Sequence, residues 1–272
     1  AQNFVVNSGG AHTVTAGGSS LNLVQNAGGN INADIGADES RISTYISGVN
    51  QNGQNLTLEN GSANNFIINS GGWQNIFSGG LVNNTVINGY GSQAVSLGGK
   101  ALNTVINSYG SQAVYEGGSA VSAVVSGTSA YQTIYSGGKA ENVLLADYAV
   151  QNIGAGASAE NTVIEKDGLQ RIDSTGAAFN TEVNSGGAQS VLAGGSSLNV
   201  TQNAGGNVNA AIGGDGAYIS GVNQNGEVFT LSGGVANNFI LNDGGYHYVA
   251  AGGSSLNLTQ NGGYINADVA KD

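Results

Sequence analysis

An Asn followed by a short, mostly β-branched run recurs at Asn65, Asn84 and Asn103, gives way to Ser122, and returns at Asn142, Asn161, Asn180 and Asn199, in steps of 19, 19, 19, 20, 19, 19 and 19 residues. The same step of 19 joins Asn3 to Asn22 and Asn238 to Asn257. A fixed period of this length marks a chain that stacks one structural unit on the next, because a single unit cannot bury its apolar side alone. With 47 Gly and 36 Asn among 272 residues, the units are not helical, both residues being poor helix formers.

Three further columns define the unit. Nine residues after the Asn positions stand Gln74, Gln93, Gln112, Gln132, Gln151, Gln170 and Gln189, with His12 and His247 at the equivalent places in the end repeats. Two residues after these come Val14, Ile76, Val95, Val114, Ile134, Ile153, Ile172, Val191 and Val249, an unbroken aliphatic file. Three after most Asn positions runs another, from Val6 through Ile68, Ile87, Ile106, Val125, Leu145, Ile164 and Val183 to Leu241. Turns such as Asn69-Ser70-Gly71-Gly72 separate the strands so defined, with Gly supplying positive φ without steric cost.

Stacked in register at roughly 4.8 Å per coil, such units make an all-β parallel β-helix, a solenoid of roughly 14 rungs and about 65 Å. Residues 1–272 are expected to form one such body. Glu182, Arg171 and Asp173 set the parity of the strands, so the positions alternating with them face inward. The Asn column is expected to stack as a ladder of side-chain amides. Every coil needs its N–H groups for its neighbours, which accounts for a chain with no Pro.

Two stretches lengthen the step, to 43 residues from Asn22 to Asn65 and 39 from Asn199 to Asn238. They resemble each other: Tyr45 to Gly53 is repeated at Tyr218 to Gly226, and the first copy carries four extra residues around Asp38-Glu39-Ser40-Arg41. These rungs, near 23–60 and 200–233, are expected to carry loops standing out from the body. A third partial copy begins at Ser254 and stops after Asp268, which predicts further coils beyond Asp272.

Charge excludes several function classes. Six Lys and Arg against 17 Asp and Glu leave −11, and Arg41, Lys100, Lys139, Lys166, Arg171 and Lys271 are too scattered to make a phosphate-binding stripe. Nucleic acid and anionic membrane surfaces are therefore not expected partners. Without Cys there is no disulfide framework, thiolate nucleophile or Cys-based metal site. The chain also has no Met, which predicts a processed or excised product whose export signal lies elsewhere. Apolar runs such as Val143 to Ala146 fall far short of the roughly 20 residues that cross a bilayer as a helix.

Catalytic constellations are sparse. The densest charge group, Glu165-Lys166-Asp167 with Arg171, Asp173 and Glu182, lies on turns and outward positions, and reads as a solvated ion-pair patch. Its enzymatic alternative is a polysaccharide-processing lyase or hydrolase. His12 and His247 substitute for Gln at opposite ends of the repeat and are not placed to share a metal. Gly213-Gly214-Asp215-Gly216 is similar to part of a calcium-binding nonapeptide, but it occurs once, where successive turns are needed to complete an oxygen cage. No catalytic residue, metal or cofactor is expected.

What remains is surface. Aromatic strips are expected to face outward: Phe77, Tyr115 and Tyr135 three residues after the Gln column, and Tyr90, Tyr109 and Tyr148 three before it, amid Asn, Ser and Thr. With the rung written as Asn-Thr-Val-Ile-Asn-Ser-x-Gly-x-Gln-x-Val-x-x-Gly-Gly-x-Ala, which Asn103 to Ala120 follows closely, nearly all of the chain resembles the passenger domains of AIDA-type autotransporter adhesins of Gram-negative bacteria. The resemblance implies a right-handed parallel β-helix, exported through a C-terminal outer-membrane barrel outside this chain and displayed on the cell surface. It implies a non-enzymatic protein that mediates adherence to host cells, autoaggregation and biofilm formation. The partner would then be a host-cell receptor or glycan, or the same protein on another cell. In the heptosylated members a glycosyltransferase attaches heptose to Ser in the short turns. Matching positions here are Ser8, Ser70, Ser78, Ser108, Ser136 and Ser185, whereas Gly89, Gly127, Asp147, Lys166 and Asp243 occupy the place in other rungs.

Overall fold

The coil from Lys100 to Gly118 shows how the repeat becomes backbone. Strand Lys100–Leu102 runs into Asn103, whose φ of +52° bends the chain before strand Val105–Ile106. The turn from Asn107 to Gly110 is closed by a Gly110 N–H to Asn107 C=O bond of 2.8 Å. Strand Ser111–Val114 follows, and the turn from Tyr115 to Gly118 closes the coil with another 2.8 Å bond. Each strand pairs in parallel with its counterpart one coil away: Leu81 with Lys100, Val105 with Val124, Gln93 with Gln112. Ala101, Ile106, Gln112 and Val114 point inward and are fully buried, so the alternation read from Arg171 and Glu182 holds.

Repeated along the chain, this coil makes the expected parallel β-solenoid of about 14 turns, spaced at about 19 residues. The computed structural model describes residues 1–214 and 216–267, and no helix occurs among them. Asp215, Asp268 and Lys271 lie outside the described residues. Two units are distinguished, Ala1–Thr133 with Gly137–Glu141, and Ile134–Ser136 with Asn142–Asp272. The same pairing runs within the second, where Gln151 faces Gln170 and Gln170 faces Gln189.

All twelve positions of the Asn column, Ser122 included, have φ between +50° and +60°. Asn tolerates this left-handed backbone better than any residue except Gly, and that requirement explains the column more fully than an amide ladder does. The ladder is present but irregular. Asn22 donates to Asn3 at 3.1 Å and Asn180 to Asn161 at 3.1 Å, yet Asn103 donates to Asn83 and Asn65 to the Asn55 carbonyl.

The continuous ladder lies in the core instead. Gln93 donates to Gln74, Gln112 to Gln93 and Gln132 to Gln112, each at 2.6 Å, and Gln170 and Gln189 continue the pattern in the second unit at 2.8 and 2.7 Å. Hydroxyls of Thr85 and Thr104 donate to the same glutamine oxygens at 3.2 and 3.3 Å. A file of fully buried amides survives because almost every donor finds an acceptor one coil away.

The paired glycines of the second turn have two separate roles. Gly117 has φ +69°, the left-handed third position of a type II turn. Gly118 is needed for closeness: a Cβ there would stand 2.4 Å from the Val95 carbonyl oxygen one coil below. Ala157 fills the equivalent place in the second unit, so coils can spread locally to admit a methyl group. Gly118→Ala is accordingly expected to cost about 1–3 kcal/mol without abolishing the fold. Denaturant melting checks this, and an unchanged midpoint would mean that coil spacing at Val95 is freely adjustable.

The lengthened rungs differ from expectation. In place of loops standing out, most of the extra length is laid down as strand. Tyr45–Val49 stacks in parallel on Ser19–Gln25, Asn55–Glu59 then returns antiparallel to it, and Ser62–Asn64 turns back again before parallel stacking resumes at Leu81. Val228–Ser232 repeats the arrangement between Tyr218–Val222 and Val235–Asn237. The pattern Asn55-Leu56-Thr57-Leu58 alternates, burying Leu56 and Leu58 completely, which is why it forms strand rather than loop. Meanwhile Asn30–Ile35 pairs directly with Trp73–Ile76, so the insertion thickens one sheet and leaves the other unbroken. Ile67 stands two residues after Asn65, as the outward-facing Glu182 does after Asn180, yet it is buried just after this insertion, where Asn50 and Asn65 tie the hairpin turn to the coil.

Candidate functional site

Within the first unit, Tyr90 and Tyr109 occupy the third position of the first turn on successive coils, where Gly9, Gly71 and Gly186 stand elsewhere. Their φ values are +60° and +62°, a left-handed backbone that costs a bulky residue on the order of 1–3 kcal/mol. The Tyr90 N–H bonds to the Tyr109 carbonyl at 2.9 Å, and the rings stack at 5.2 Å with 17° between their planes. Tyr90 is 70% exposed and Tyr109 45%. Tyr148, in the second unit, is 64% exposed in a turn where Asp147 and Tyr148 both have positive φ.

The other strip begins the second turn. Tyr115 and Tyr135 are exposed as expected. Phe77 is only half exposed, because the Arg41 guanidinium lies 4.2 Å over its ring. Arg41 comes from the four-residue insertion and is ion-paired with Asp38. The Ser40 hydroxyl, then Arg41, hold the Asp38 carboxyl below the usual carboxylate range. The acidic loop is thus a local clasp on Phe77.

Ser8, Ser70, Ser78, Ser136 and Ser185 are exposed, whereas Ser108 is half buried. Five of the six sit against a glycine of the following coil: a Cβ would meet the hydroxyl oxygen at 2.7 Å for Ser8 under Gly28, 3.1 Å for Ser78 under Gly98, 2.3 Å for Ser108 under Gly127, 2.9 Å for Ser136 under Gly156 and 2.7 Å for Ser185 under Gly205. The glycine keeps the space beside each hydroxyl open. Ser174 lies under Gly194 in the same way, at 2.7 Å, and was missed by the sequence reading. Its signal was available, since it stands two coils of 19 residues after Ser136.

The charged cluster is not assembled into a site. Arg171 and Asp173 form a 3.3 Å pair with both side chains about half exposed. Glu165 accepts from Asn184 and Glu182 from Asn203 of the following coils, and Asn203 also donates to Asn184, so both carboxylates are taken up by a row of amides. The surface grooves of the second unit, lined by Ala211, Ile212, Tyr248 and Ala250 or by Val200, Gly221 and Val228, contain no carboxylate or base among the described residues. The two histidines lie in different units. His12 bonds to the Ser20 hydroxyl at 2.7 Å against the Phe4 ring, and burial lowers its pKa. His247 is completely buried beside Phe239, 4.8 Å ring to ring. No cluster of three potential metal ligands occurs among the described residues.

No protein-family model and no curated protein matches the chain. A solved structure does: the chain is similar to a TibC-catalysed hyper-glycosylated TibA fragment, with a TM-score of 0.62 and 27% identity over 99% of this chain and 97% of that one. Coil period, turn chemistry and this likeness agree, and the chain is similar throughout to an AIDA-type autotransporter adhesin passenger domain.

Proposed function

We propose that the chain is the passenger of a cell-surface adhesin, exported through the outer membrane of a Gram-negative bacterium by a C-terminal barrel and active through contact rather than catalysis. The observation that carries this reading is the likeness to the TibA fragment along almost the entire chain. Exposed aromatic side chains on strained turns support it, since they contribute nothing to the core and suit contact with a host-cell receptor, a host glycan or a second copy of the protein. Such contact underlies adherence, autoaggregation and biofilm formation. Displayed on a non-adherent, non-aggregating bacterium, the passenger is expected to confer binding to epithelial cells or settling of the culture. Failure of both would overturn the adhesive reading.

The turn serines extend the proposal. Ser8, Ser70, Ser78, Ser136 and Ser185 are open to a glycosyltransferase, and the half-buried Ser108 is the weakest acceptor of the six. Intact mass of protein from its native host is expected to exceed 27.0 kDa by whole heptose increments. An unshifted mass would remove the glycosylated branch and leave adhesion by the bare chain.

A further inference from the structure

We infer that the stacked pair Tyr90–Tyr109 is a binding platform for a neutral pyranose, and that it uses the open level above Gly71 to receive the sugar ring. The inference rests on the adhesive reading for its biological setting but not for its chemistry. Both tyrosines hold left-handed backbone at a turn position that Gly9, Gly71 and Gly186 fill without strain and that Tyr148 and Asp167 also take, so the coils bear a strain that Gly would avoid. Strain of this kind persists at sites of function. The rings lie nearly parallel, and the Gly71 N–H bonds to the Tyr90 carbonyl, which places Gly71 at the next level of the same stack. A Cβ on Gly71 would meet nothing within 4 Å, so no atom crowds the point from which a third ring would extend.

The surroundings select the ligand. The first turns of these coils carry Asn69, Ser70, Asn88, Gly89, Asn107 and Ser108, which are neutral and donate or accept hydrogen bonds. Asn88 donates to Asn69 and Asn107 to Asn88, a fixed row of amides in the same turns, of which Asn88 and Asn107 are half exposed and Asn69 is buried. No charged residue stands in these turns, and the chain as a whole carries −11, which disfavours anionic sugars and nucleotides. A pyranose presents an apolar C–H face to an aromatic ring and hydroxyls at its rim, which matches a ring stack bordered by amides and hydroxyls.

The test uses the unmodified 272-residue chain. Methyl glucoside, galactoside and mannoside are titrated by NMR with ring-labelled tyrosine, and methyl sialoside serves as the anionic comparator. At least one neutral pyranoside is expected to shift the Tyr90 and Tyr109 ring signals with Kd on the order of 1–10 mM, as befits one stacked ring. Tyr90→Ser and Tyr90→Gly are each expected to weaken this roughly tenfold or more. Tyr90→Gly, which relieves the left-handed strain, leaves Tm unchanged or higher, so lost binding is not lost folding. Tyr148→Ser retains full binding. The inference is overturned if no neutral pyranoside moves these signals, if methyl sialoside binds as well, or if Tyr90→Gly binds like the wild type. Cell adherence by a wild type that binds no neutral pyranoside would sink this site and leave the adhesive reading intact. Sugar binding without adherence would do the reverse.

Discussion

Gln112→Leu is expected to destabilise the solenoid by about 2–4 kcal/mol although Leu matches Gln in volume and leaves no cavity. Gln112 is wholly buried, donates to Gln93 at 2.6 Å and accepts from Gln132 at 2.6 Å. The substitution removes these two bonds and a third, from Gln112 to the Thr104 hydroxyl at 3.3 Å, and withdraws an acceptor from the buried Gln132 amide, a loss that costs more than the net gain of an ordinary bond. Gln93 is partly protected, because the Thr104 hydroxyl still donates to its oxygen. Adding Gln93→Leu should therefore cost less than the sum of the two single changes, by roughly 1 kcal/mol or more, as residues in one network couple. Urea midpoints of the two single variants and the double one measure this. A loss below about 1 kcal/mol for Gln112→Leu would show that the core amides exchange their partners for water.

His247 lies beyond the end of the amide file, in register with Ala210 and Val191 while Gln189 is followed by Val208, and makes the second unit sensitive to acid. Its coil partners are Ala210 and Ile265, so no side-chain amide lies above or below it, and neither ring nitrogen makes a well-formed hydrogen bond. Burial lowers its pKa from 6.5 to about 4, with the Val208 backbone pulling weakly the other way. The unfolded chain takes up a proton below pH 6.5 that the folded chain refuses until about pH 4. Stability from this residue is thus fully present above pH 6.5 and lost as pH falls through that window, by about 3 kcal/mol in total. Unfolding of the wild type and His247→Gln, compared at pH 7, 5 and 4, isolates the effect from the carboxylates common to both. Parallel pH profiles would contradict it. His12, hydrogen-bonded to Ser20 and less buried, contributes a smaller drop of the same sign.

Much of the fold was legible because its rules repeat. The step from Asn65 to Asn84 to Asn103 located the regular coils, and Arg171, Asp173 and Glu182 fixed which of their residues face inward. Two things were hidden. A column of Asn reads equally well as an amide ladder or as a left-handed bend, and only backbone angles separate the two; at Asn103 the bend is kept while the ladder bond goes to Asn83. Strand direction was hidden as well, since Leu56-Thr57-Leu58 alternates identically whether it runs with its neighbours or against them. The candidate surface was half legible for a related reason. Tyr90 and Tyr109 emerged from spacing alone, but their strain depends on a turn position, and the covering of Phe77 depends on Arg41, which is 36 residues distant and outside the period.

The reversed strands carry a consequence for folding. Where every coil offers its neighbour the same glutamine, aliphatic and glycine partners, a growing stack displaced by one whole repeat would satisfy nearly all of its bonds. Asn55–Glu59 and Val228–Ser232 have no such double, for each pairs with segments only a few residues away in the chain, across turns closed locally at Asn50–Gly53 and Asn223–Gly226. Short-range contacts of that kind form before distant ones. Each unit therefore holds one landmark from which the neighbouring coils are counted, and removing either is expected to produce off-by-one isomers rather than an unfolded chain.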